Sequence, residues 1–129
     1  MKSREGWKWY GFPGHHCCGS RCQYHLSTNI GNKVLVSTVG RFVPDPLRNP
    51  EKTDTVGTGR DFETMVFKID GEDENGDPKV VDWSEALDSD GYNSSLHAES
   101  GHYAMCEKWA EMSNVEVTGK PQRCAAGAR

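Results

Sequence analysis

An α+β domain, with an antiparallel sheet of three to four strands and one C-terminal helix packed on it, is the fold class this sequence predicts. Three observations carry the prediction. Residues 22–40 hold two strand-like runs around a Gly/Asn turn, residues 62–69 repeat the strand pattern, and residues 98–112 place apolar side chains at helical spacing.

In the first run Tyr24, Leu26 and Thr28 alternate with Gln23, His25 and Ser27, the period of two that marks a strand. Asn29-Ile30-Gly31-Asn32 is turn material, because Gly and Asn tolerate positive φ. The stretch from Lys33 to Gly40 is β-branched and mostly apolar, so the two runs pair as a hairpin. Residues 42–59 contain three prolines and no periodicity, which predicts a long loop. Residues 62–69 form a third strand. An acidic turn covers Asp70 to Asp77, and Lys79–Trp83 offers a fourth strand.

Ser94 or Ser95 caps the helix, since a short hydroxyl side chain accepts from the unpaired first-turn amides. Ala98, His102, Met105, Trp109 and Met112 then fall within an arc of roughly 80° at helical spacing. Gly101 costs about 1 kcal/mol against Ala inside a helix, and it allows close backbone approach beside His102. From Asn114 onward a loosely ordered tail is expected, with Val115 and Val117 able to add a short strand. The chain thus divides into a basic, aromatic arm over residues 1–21 with a Cys/His cluster, a domain over 22–113, and a tail over 114–129.

Charge is unevenly spread over the 129 residues. Residues 1–44 carry six Lys/Arg against Glu5 alone, whereas residues 45–99 carry five against fifteen Asp/Glu. The arm could stack Trp7 and Trp9 on nucleic-acid bases, but the acidic middle would repel a polyanion. Packing of those rings on the domain is the competing expectation. No apolar run reaches membrane-spanning length, and the first fourteen residues lack the apolar core of a secretory signal. A cytoplasmic setting is therefore expected.

Five cysteines and five histidines are present, and three of each fall within HHCCGSRCQYH at residues 15–25. In a reducing compartment such thiols stay free or bind metal, and zinc is the ion that thiolate and imidazole share. Cys18 and Cys22 stand at C-x₃-C spacing around Gly19. His102 and Cys106 stand at i and i+4, one turn apart on one side of the helix. Together they predict a structural Cys₃His zinc site pinning the arm to the helix. His25 competes with Cys22, because an extended chain points the two to opposite faces. Cys17 could replace Cys18 by spacing alone, and His102 read instead as a hydrogen-bonded core histidine is the plain alternative.

Several chemistries find no motif. Metalloprotease and deaminase zinc patterns are absent, and Val56-Gly57-Thr58-Gly59 lacks the Lys-Ser/Thr of a phosphate loop. The acidic run from Asp70 misplaces the central Gly and closing Glu of a calcium loop. An enzyme acting on a small molecule or nucleotide would gather His25, Ser37, Glu63, Tyr92 and His102.

HLSTNIG at residues 25–31, LVSTVG at 35–40, ETMVF at 63–67 and Gly101-His102 together resemble a group of small uncharacterised proteins encoded by phages of actinobacteria. The resemblance covers roughly residues 22–112. It implies expression inside a bacterial host, a compact α+β domain and an accessory role, and it transfers no catalytic residue. The resulting expectation is a phage-type accessory protein with a structural zinc that acts by binding a host or phage protein, its acid-rich residues 70–90 suited to a basic surface. The alternatives are the small-molecule enzyme, a nucleic-acid module and a virion component.

Overall fold

The computed structural model describes residues 6–10, 21–56 and 59–112, and the backbone of 122–123. Its elements are β1 (Trp7–Tyr10), β2 (Cys22–Ile30), β3 (Val34–Phe42), β4 (Phe62–Glu72), β5 (Pro78–Val80), β6 (Glu85–Ala86), β7 (Asp88–Tyr92), α1 (Ser95–Met112) and β8 (Gln122–Arg123). The α+β class stands, but among the described residues the main sheet has six strands, more than the three to four expected.

Strands β1 to β4 lie side by side in chain order, all antiparallel. The far edge of β4 takes two partners: β7 along Phe62–Val66 and β5 beyond Ile69, past a register shift. The surplus strands are β1 and β7. In β7 the sequence DSDGY holds poor strand formers, and its extended form follows from the ladder that β4 offers. The WKWY of β1 belongs to the expected arm, yet it pairs with β2 from Trp7↔Ile30 to Tyr10↔Ser27. Two residues of the expected loose tail are also paired, as β8 against β6. Val115 and Val117 lie outside the described residues.

The β2–β3 hairpin forms as expected, with its turn shifted. Gly31 and Asn32 take φ of 57° and 59°, the two left-handed residues that a tight hairpin turn needs. Asn29 is therefore strand, not turn, and its Oδ1 accepts from the Asn32 amide at 2.8 Å.

The sheet curls. Lys8 of β1 donates to Glu72 Oε2 at 2.6 Å, although β1 and β4 are first and fourth in strand order. The face carrying Lys8, Asn29 and Leu35 is thus the inside of the curl. Its apolar part is Met65, Phe67 and Ala86, with Val80 and Trp83 packed against them. The helix covers the outside, where Met105, Cys106 and Trp109 pack on Ile30, Val34, Val36 and Val66. Met112, expected on the buried stripe, is 36% exposed because the helix ends there. The N-cap is Ser94, whose Oγ accepts from the His97 amide at 3.1 Å.

Two glycines make room for rings. Gly40 pairs with Tyr24 on one side and Phe62 on the other, and an added Cβ would collide with the buried Phe62 ring. Gly101 likewise admits the Tyr92 ring against the helix, which accounts for a helical glycine at that position. Gly40→Ala is expected to lower stability by about 1–3 kcal/mol through overpacking. The measurement is the urea midpoint at constant m-value, and an unchanged midpoint would mean that Phe62 moves aside freely.

Candidate functional site

Among the described residues expected to bind zinc, Cys22 does not come together with His102 and Cys106. Cys18 lies outside the described residues. Cys22 is buried at the far end of β2 with Val39, Val56 and Phe42, and it is disulfide-bonded. A disulfide sulfur lacks the thiolate that ligates metal. His102 and Cys106 do share one side of α1, and both are fully buried against the sheet. However, His102 meets β2 at Thr28, six residues along the strand from Cys22, a run of about 20 Å. Among the described residues no group of three or more His, Cys, Asp and Glu is placed to hold a metal ion.

His102 instead joins a chain of hydroxyls. Its Nε2 is 2.9 Å from Thr28 Oγ1, its Nδ1 is 2.7 Å from Thr38 Oγ1, and Thr38 Oγ1 is 2.5 Å from Thr64 Oγ1. A neutral imidazole offers one donor and one acceptor, so either tautomer satisfies both ends while the hydroxyls reorient. Burial without a countercharge pushes the pKa of His102 down from 6.5 to about 4. At neutral pH this is an uncharged core histidine.

Trp7 and Trp9 belong to β1 and are not a free arm. Trp7 packs against the core under the helix. Trp9, 44% exposed, has its ring centroid 5.7 Å from His102 and 5.6 Å from Tyr103. The pair seals one side of the helix–sheet seam.

The polar set of the enzyme alternative is split by the sheet. Register places His25 and Glu63 in one cross-strand row, flanking Val39, and Ser37 in the next row opposite Ser27. These four face the inside of the curl. His102 and Tyr92 lie on the helix side. Ser27 was not anticipated from sequence, yet it is 0% exposed, and among the described residues neither its Oγ nor His25 Nδ1 has a hydrogen-bond partner. An unsatisfied buried hydroxyl costs free energy. Ser27→Ala is therefore expected to leave stability unchanged or raise it by up to about 1 kcal/mol. A clear fall in the urea midpoint would reveal a bound water or solute on that hydroxyl.

An open groove lies elsewhere among the described residues, between the edge strand β7 and α1. It has a volume of about 320 Å³ and is lined by Asp88, Ser89 and Asp90 of β7 and by Gly101, Ala104, Met105 and Lys108 of α1. Asp88 ties the two elements together. Its Oδ2 accepts from Lys108 Nζ at 2.5 Å and from Trp109 Nε1 at 3.0 Å, and its Oδ1 accepts from the Ser89 amide at 2.9 Å. Burial pushes its carboxyl up, but the hydrogen bonds from Lys108 and Trp109 outweigh that and hold it below the ordinary carboxylate range. Asp90 is exposed, and its Oδ1 accepts from the Gly91 amide at 2.8 Å. None of these wall residues is legible as a site from sequence. The available signal is the alternation of Asp in DSDGY, a stretch to which the sequence assigns no element.

Among the described residues no helix is long and apolar enough to cross a membrane. Comparison of the chain with protein-family models, with curated proteins and with solved structures finds no match.

Proposed function

We propose that this protein is a docking module that takes an extended, basic segment of a partner protein alongside β7, in the groove against α1. The carrying observation is the groove itself: an edge strand and a helix bounding about 320 Å³, with two aspartates at alternate positions on its wall. A volume of that order accommodates one or two side chains. Among the described residues β7 pairs with β4, and the added strand of this reading lies along its other edge. Main-chain hydrogen bonds then supply affinity, and alternate side chains supply specificity. Of the acid-rich residues 70–90 expected from sequence to meet a basic surface, Asp88 and Asp90 line this groove, and Asp90 is the exposed one of the two.

The test is a titration of ¹⁵N-labelled protein with an acetylated, amidated heptapeptide alternating Thr and Lys. Shifts confined to β7 and the groove side of α1, with affinity falling several-fold between low and moderate salt, are the expected result. Absence of saturable shifts at millimolar peptide, or shifts scattered over the surface, would end the proposal.

A further inference from the structure

The docking reading meets an obstacle in β7 itself. Alternate amides of a strand face opposite edges. The amides of Ser89 and Gly91 each donate to the carboxylate of the preceding residue, Asp88 and Asp90 respectively. The donors that an added strand would need are therefore already used. Such covering is how edge strands avoid indiscriminate pairing.

The two aspartates are not equivalent. The Asp88 carboxylate is also held by Lys108 and Trp109, so its position is set by the helix. Asp90 makes no hydrogen bond among the described residues beyond the one to Gly91, and its side chain is exposed. It is the one of the pair that can swing.

We propose that Asp90 is a charge-operated cover on this edge: it occupies the Gly91 amide until a cation on the incoming segment draws the carboxylate away and frees that amide for strand pairing. The inference rests on the docking reading and deepens it, because it makes charge recognition a precondition of backbone recognition. A neutral segment finds the amide covered. A basic segment opens the edge by the same contact that selects it, so specificity arises from a blocked alternative as well as an attractive contact.

Two substitutions separate the blocking function from the charge. Asp90→Asn keeps an oxygen acceptor for the Gly91 amide and loses the charge. Asp90→Ala loses both. Each is tested against the Thr/Lys heptapeptide and its Thr/Gln counterpart. Wild type is expected to bind the Lys peptide at least tenfold more tightly than the Gln peptide. Asp90→Asn should bind both weakly. Asp90→Ala should bind both with affinities within about threefold of each other, the Gln peptide more tightly than wild type does. In free Asp90→Ala the Gly91 amide should exchange with solvent faster than in wild type, while thermal melting stays within a few degrees because Asp90 is exposed. If both peptides bind wild type and both variants alike, the cover is disproved while docking stands. If Asp90→Ala still discriminates tenfold, the charge recognition lies elsewhere and the proposal falls. If neither peptide binds any of the three proteins, the docking reading fails and takes this one with it.

Discussion

Lowering the pH from 7 to 4 is expected to remove about 3 kcal/mol of stability through His102 alone. In the fold its pKa lies near 4, against 6.5 for the free side chain, because the ring is buried with hydroxyl partners and no carboxylate bonded to it. The unfolded chain therefore takes up a proton at a pH where the folded chain does not. Stability rises with pH wherever the unfolded state binds more protons. The contribution of His102 is thus fully present above pH 6.5, falls steadily between 6.5 and 4, and is exhausted below 4. Urea denaturation at several pH values across that window should show the slope. His102→Gln should flatten it, since an amide cannot titrate. At neutral pH that variant is expected to be about 1–3 kcal/mol less stable, because a buried hydroxyl of Thr28 or Thr38 loses its partner. Retention of the wild-type slope in His102→Gln would assign the acid sensitivity to other groups.

How far sequence reached follows from the range of the interactions involved. The β2–β3 hairpin was legible because both its signals are local: the alternation before Ser27 and the Gly31–Asn32 pair that adopts positive φ. The helix was legible from Ser94 and from the spacing of Ala98, His102, Met105 and Trp109, all of which are buried. Strand β7 was not, because nothing in DSDGY favours extension and its partner β4 supplies the ladder. The zinc expectation correctly placed His102 and Cys106 on one side of a turn of helix. Spacing carries no information about where along β2 that turn lands, and it lands at Thr28, far from Cys22. Parity within β2 held a signal that went unused. His25 and Thr28 differ by an odd number of residues, so a helix that meets Thr28 leaves His25 on the opposite face. That alone separates His25 from His102 in the enzyme alternative. The groove needs Asp88 and Lys108 together, twenty residues apart, and only the packed structure brings them there.

Asp88→Ala is expected to cost about 2–3 kcal/mol and to disorder the groove wall at the same time. Three donors converge on this carboxylate, and their environments differ. The Lys108 side chain is 55% exposed, so losing its partner costs little once water solvates the ammonium. Trp109 is 2% exposed, and its indole Nε1–H would be left without an acceptor in the core, which is the dominant part of the loss. The Ser89 amide loses the carboxylate that covers it. Asp88→Asn isolates these contributions. It keeps one oxygen acceptor, which can serve Trp109, and forfeits the ion pair, so its expected cost is about 1 kcal/mol. The pH behaviour provides a second check. The carboxyl is held below its ordinary value, so its contribution is present above the unfolded pKa and is lost as pH falls through the lower folded one. That loss begins where the His102 window closes, so a wild-type stability curve should steepen again below pH 4 and the Asp88→Asn curve should not. The indole N–H resonance of Trp109 reports its hydrogen bond directly: it should shift in Asp88→Ala and stay near wild type in Asp88→Asn. Equal shifts in the two variants would show that the charge of Asp88, rather than its hydrogen bond to Trp109, holds β7 to the helix.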